Sequence, residues 1–223
     1  MSLSKVIEVA ESQLGVTEYP PGSNKVIYNT DYYGKEVSGA DYPWCCTYLW
    51  WVFNKAGEGK AFFNSGKTAS CNILLRWYKE QGLTVPVDQV RAGDIVLLNF
   101  HGGQTPEHCG LVECVMHSDD GVETIWTIEG NTTPGEEGSQ DNGGCVALKD
   151  RYPRQIVAVC RPQYKEKDMD KKDDITGHWA EKDIRRCLEK GIMKGYPDGS
   201  FQPDKPVTRA ELAVILDRLG LLR

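Results

Sequence analysis

The sequence predicts an α+β domain followed by a small helical module. Apolar residues fall at helical spacing through the first third of the chain, and short β-branched runs separated by turn residues occupy positions 93 to 160. After a nearly all-charged stretch at 163–174, helical spacing returns. A length of 223 residues suits one medium domain plus something small.

Val6, Ile7, Val9, Ala10 and Leu14 share one helical face, which predicts a helix over 4–14 ended by Gly15. A turn-rich stretch follows through Pro20-Pro21-Gly22-Ser23-Asn24. The second helix is expected from Pro43-Trp44 to Gly57, where glycine suits a left-handed cap, and the third from Thr68 to Gln81 before Gly82. Ile95–Phe100, Gly110–Met116, Val122–Ile128, Val146–Leu148 and Ile156–Val159 read as strands, with a hairpin turn centred on Asp119-Asp120. Helices first and an antiparallel sheet second make an α+β domain over 1–162. Residues 163–173 read as a charged linker, and 174–223 as a helix–loop–helix. In that module Ala180, Ile184, Cys187 and Leu188 line one helix. Gly195-Tyr196-Pro197-Asp198-Gly199-Ser200 makes a turn, Thr208-Arg209-Ala210-Glu211 a capping box, and Leu212, Ile215, Leu216 and Leu219 line a second helix.

Composition narrows the function. A net charge of −6 gives no basic face for nucleic acid. No run approaches the roughly 20 apolar residues of a membrane span, and the N-terminus lacks the basic and apolar regions of a signal peptide. Of eight cysteines, Cys109, Cys114 and Cys160 stand where Val or Ala would serve, Cys45 and Cys46 are adjacent, and no Cys-x-x-Cys pair occurs. Reduced thiols are therefore expected, with no metal and no cofactor. A metal site of Cys45, Cys46, Cys71 and His108 is the minor alternative.

The chemistry rests on three segments in order. Pro43-Trp44-Cys45-Cys46 puts a thiol at a helix start, where unpaired amides favour thiolate. His108 precedes an apolar strand, and Glu129 and Asn131 close the next one. A nucleophile needs a base, and the base needs an orienter. Adjacent helical side chains diverge by about 100°, so only one of Cys45 and Cys46 faces a cleft. Hairpin pairing with a partner sum near 239 sets His108 opposite Asn131, with Glu129 one pair away on the same face. Both remain candidates, with Glu129 preferred. The amide of Cys45 is a natural oxyanion donor. Trp44, Tyr42 and Trp50, with Asp41, are candidate substrate contacts, although at helical spacing with Leu49 and Phe53 some of these aromatic residues suit a core better.

Trp44-Cys45, Gly93-Asp94-Ile95-Val96, His108-Cys109-Gly110-Leu111-Val112 and Glu129-Gly130-Asn131, preceded by Gln13-Leu14-Gly15-Val16-Thr17-Glu18, together resemble the CHAP family and its NlpC-type relatives. The resemblance covers about residues 4 to 162. It implies a papain-like fold and a cysteine amidase or endopeptidase that cleaves bacterial peptidoglycan, with Cys45, directly after the tryptophan, as nucleophile. Residues 174–223, with Gly177-His178-Trp179-Ala180, Gly195–Phe201 and Thr208-Arg209-Ala210-Glu211, resemble an S-layer homology (SLH) module. That implies contact of Trp179, Arg209 and Glu211 with a secondary cell-wall polymer. The expected protein is an endolysin or autolysin made in the cytoplasm and reaching the wall on lysis or by another export route. An acyl transferase and a non-catalytic wall-binding protein are the rival readings. Such modules usually come in threes, so a homo-oligomer through the single copy is weighed against docking on the chain's own catalytic domain.

Overall fold

Helices lead and strands follow, in the order the periodicity predicts. The computed structural model describes residues 3–118, 121–135, 137–164, 174–196 and 200–221. The helices are α1 (Leu3–Glu11), α2 (Ile27–Tyr33), α3 (Cys45–Lys55), α4 (Gly59–Phe63) and α5 (Cys71–Glu80). The strands are β1 (Thr84–Val85), β2 (Ile95–Leu98), β3 (His108–Ser118), β4 (Gly121–Thr132), β5 (Cys145–Arg151) and β6 (Ile156–Cys160). They form an antiparallel sheet in the order β1-β6-β2-β3-β4-β5. The predicted Asp119-Asp120 turn lies outside the described residues, but Leu111 pairs with Ile128 and Val112 with Thr127, the expected register.

Period-2 alternation splits the sheet into two apolar faces. Ile95, Leu97, Leu111 and Ile128 pack with α1, α3 and α5 around Leu49, Phe53 and Leu74. Val96, Leu98, Val112, Ile125 and Val159 form a second cluster on the other face with Val90. Each fully buried Leu or Phe contributes about 1.5–3 kcal/mol, and the four residues of β2 are all buried. This central strand therefore anchors both layers. The sequence did not announce α2 and α4, which are short and end in the left-handed residues Gly34 and Asn64.

The Gly93-Asp94 strand start is structural. Asp94 takes two hydrogen bonds from Arg161 at 3.0 and 2.8 Å and one from the Arg91 amide at 3.0 Å. It thereby locks the chain after β6 to the start of β2.

In the C-terminal module α6 (Glu181–Glu189) and α7 (Arg209–Arg218) form, and Thr208 and Glu211 make the predicted capping box. Asp174 accepts from the amides of Phe201 and Gln202 at 2.8 and 2.6 Å, closing the module's start on its loop. Linker residues 165–173, turn residues 197–199 and Leu222 lie outside the described residues. The module rests on the α+β domain through Lys194, which pairs with Glu11 at 2.7 Å and with Glu113. Among the described residues no helix is long and apolar enough to cross a membrane.

Candidate active site

Cys45 is the first residue of α3, and its position is fixed by a buried polar network upstream. Glu18 accepts from the Asn24 amide at 2.9 Å and from Trp44 Nε1 at 3.2 Å. Asn29 Nδ2 donates to the carbonyls of Asn24 and Tyr42 at 2.9 and 2.8 Å, and its Oδ1 accepts from Thr47 at 2.7 Å. The motif between Gln13 and Asn24 thus holds the helix start, whose first-turn amides have no intrahelical partner.

His108 opens β3 and is fully buried. Its Nε2 lies 3.0 Å from Glu129 Oε2. Glu129 in turn receives Arg151 Nη2 at 2.5 Å, Arg151 Nε at 2.7 Å and the Thr127 hydroxyl at 2.6 Å. The Arg151 guanidinium lies 4.7 Å above the Phe100 ring, which also tilts against His108 at 5.9 Å. Both glycines of the motifs are sterically required. A Cβ on Gly110 would sit 2.8 Å from Glu129 Cγ, and one on Gly130 would sit 2.6 Å from Tyr48 Cβ. The first leaves room for the carboxylate to cross to His108, and the second lets α3 lie against β4.

The charges follow from these neighbours. Burial alone would raise the Glu129 pKa, but the Arg151 hydrogen bonds and His108 hold it down at about 2. Burial also opposes protonation of His108, yet Glu129 and Cys45 outweigh it and raise that pKa to about 10. Hydrogen bonds from Cys109, Cys46 and Cys71 hold Cys45 well below the usual thiol range, against burial and with help from His108. The arrangement favours a thiolate beside an imidazolium. His108 Nδ1 is buried with no hydrogen-bond partner, which leaves a ring nitrogen free for proton transfer.

Asn131 does not reach His108. It adopts φ 63°, and its Nδ2 donates to Asn142 Oδ1 at 3.0 Å, which ties down the loop between β4 and β5. The residue that extrapolated pairing sets opposite His108 is turned away by this backbone twist, and Glu129 makes the contact with the ring instead. Trp44 is 0% exposed and packs on Tyr28 at 5.4 Å, so it is a core residue and offers a substrate no surface. Tyr42 is half-buried against Tyr33, and Asp41 is exposed. Arg151, Thr127 and Phe100 escaped the sequence reading. The available signal was a basic residue at an inward position of β5, where Ala147, Lys149 and Arg151 are buried and Leu148 and Asp150 are exposed.

In the module Trp179 is 89% exposed and Arg209 is exposed. The Glu211 carboxylate is engaged, accepting from the Thr208 amide at 2.7 Å. A groove of about 420 Å³ between α7 and the preceding loops is lined by Tyr196, Lys205, Glu211 and Arg218; Trp179 and Arg209 lie outside its lining.

Comparison with known proteins finds two family matches. Residues 37–131 match the CHAP domain family and residues 173–213 the S-layer homology domain family. The chain is 47% identical over 45 residues to a cellulosome-anchoring protein of Acetivibrio thermocellus, covering 20% of this chain and 10% of that protein. It is 49% identical over 39 residues to cell surface glycoprotein 1 of the same organism, covering 18% and 2%. It is 46% identical over 47 residues to outer membrane protein SlpA of Deinococcus radiodurans, covering 21% and 4%. The chain therefore spans a tenth or less of these relatives' length. No solved structure matches it.

Proposed function

We propose that this chain, which joins a CHAP domain to a C-terminal SLH module, is a peptidoglycan hydrolase that opens an amide bond through Cys45. The observation that carries this reading is the buried chain from His108 through Glu129 to Arg151, together with a Cys45 thiol at the start of α3 that its neighbours hold toward thiolate. The Cys45 thiolate attacks the amide carbonyl, and the helix-start amide of Cys45 receives the developing oxyanion. The protonated ring of His108 gives its proton to the leaving amine. An acyl-enzyme remains, which water hydrolyses after His108 takes one of its protons. Glu129 keeps the ring oriented and charged, and Arg151 keeps Glu129 ionised.

The module is the wall anchor in this reading, with Trp179 and Arg209 as polymer contacts. Similarity to surface-attached proteins supports that role. Glu211 contributes by holding the start of α7. Defined peptidoglycan digested with the wild type and with Cys45→Ala, followed by mass spectrometry of released fragments, tests the proposal. New amino termini or freed peptides only with the wild type support it, and their identity separates amidase from endopeptidase. Products that appear only with an added amine would reassign the enzyme to the transferases.

A further inference from the structure

Four sulfur atoms meet at the start of α3, that of the candidate nucleophile among them. Cys45 and Cys46 come from the first turn of α3, Cys71 from the first residue of α5 and Cys109 from β3 beside His108. Their Sγ atoms all lie within 4.8 Å of one another. Cys45–Cys71 measures 3.9 Å, Cys46–Cys71 3.5 Å and Cys46–Cys109 3.5 Å. Sulfurs bound tetrahedrally to one Zn²⁺ at about 2.3 Å stand about 3.8 Å apart, so the three distances bracket the spacing a metal would impose. No two sulfurs stand out as a disulfide pair, for Cys46 is equidistant from two neighbours and a bond would require about 2.05 Å.

The surroundings suit a cluster of thiolates. Helices α3 and α5, of 11 and 10 residues, both direct their N-termini at it, where partial positive charge favours anions. Cys46 and Cys109 are fully buried, while Cys45 and Cys71 are 4% and 7% exposed, the two sulfur-bearing residues nearest the surface. His108 stands outside the set, and Cys109 takes the place that sequence spacing alone offered to the histidine.

We infer that Cys45, Cys46, Cys71 and Cys109 form a tetrathiolate site for a thiophilic divalent cation of the zinc class, and that its occupancy switches the nucleophile off. Four sulfur–metal bonds form, the thiol protons pass to solvent and no electrons are transferred. With its lone pair held by the cation, the Cys45 sulfur cannot attack a carbonyl. The switching half of this inference rests on the hydrolase reading; the metal site does not.

The test uses the full chain with its thiols reduced, titrated with Cd²⁺ and Zn²⁺ alone. The expected result is one ion per chain, a sulfur-to-cadmium charge-transfer band, and X-ray absorption of the zinc form showing four sulfurs at about 2.3 Å. Cys71→Ser should weaken binding at least about tenfold, whereas Cys114→Ser and Cys187→Ser leave it unchanged. His108→Ala should keep the band although hydrolysis is lost. Zinc should abolish wild-type wall lysis and a chelator should restore it. Absence of the band, fewer than four sulfurs, or loss of the band in His108→Ala overturns the site. If the band forms and wild-type protein never lyses walls, the site stands and the hydrolase reading falls. Lysis that persists in the zinc-loaded protein overturns the switch.

Discussion

At the residue scale, Cys45, His108 and Glu129 hold charges that burial alone would not permit. Glu129 is ionised because Arg151 and His108 flank it, and His108 is protonated because Glu129 and Cys45 flank it. Removing one partner of such a set leaves an uncompensated buried charge, so Glu129→Gln should destabilise the fold by about 3–5 kcal/mol and slow turnover, read by denaturant unfolding and wall lysis. Cys45→Ser should abolish lysis, while Cys46→Ala, at a position that is 0% exposed and faces inward, should largely retain it.

Stability against pH follows from the same charges. The His108 contribution is full below its ordinary 6.5 and lost as pH rises toward about 10. The Cys45 contribution has the opposite sign, being complete only above the ordinary thiol value of 9.0 and lost as pH falls. Just below 9.0, where both groups act, the two slopes oppose each other. Wild-type stability should therefore fall less steeply as pH rises toward 9.0 than that of Cys45→Ser, which should lose up to about 1.4 kcal/mol per pH unit. Parallel slopes for the two proteins in chemical denaturation would refute the thiolate–imidazolium pair. The Glu129 contribution is present above its ordinary 4.5 and is lost as pH falls toward about 2.

At the element scale, the site depends on where side chains are missing. Gly110 lies in β3 under the Glu129 side chain, so Gly110→Ala forces the carboxylate or Thr127 to move. Overpacking of this kind costs about 1–3 kcal/mol. Turnover should fall more than that stability loss explains, because the His108–Glu129 hydrogen bond is displaced, and the NMR signal of the His108 ring proton on Nε2 should shift. Asn131→Ala acts differently. It places a side chain that tolerates left-handed backbone less well at φ 63° and frees the Asn142 contact, so thermal stability should drop before activity does.

At the scale of the whole molecule, the module contacts the α+β domain through Lys194 yet leaves α7 uncovered. Leu212, Val214, Leu219 and Leu221 are 46%, 49%, 46% and 64% exposed. Self-association through residues 174–223 would bury these side chains and give avidity for a repeating polymer. Light scattering should show the full chain larger than a monomer and a chain ending at Pro162 monomeric. That shorter chain should cleave soluble wall fragments while losing retention on intact walls. Two monomers at micromolar concentration would rule out assembly.

The sequence alone determined the α+β class, helices ahead of strands, the β3–β4 register, the capping box and the candidacy of Cys45, His108 and Glu129. These are local properties of periodicity, turn chemistry and motif spacing. Tertiary structure decided which acceptor meets His108, because a single left-handed residue at Asn131 redirects a side chain that strand pairing alone would aim inward. It also decided that Trp44 belongs to the core, and that Arg151, 22 residues beyond Glu129, supplies its counter-charge. The four sulfurs were visible as letters, but only the meeting of two helix starts with one strand brings them within reach of a single ion. Contacts between distant elements are set by packing, and no local pattern records them.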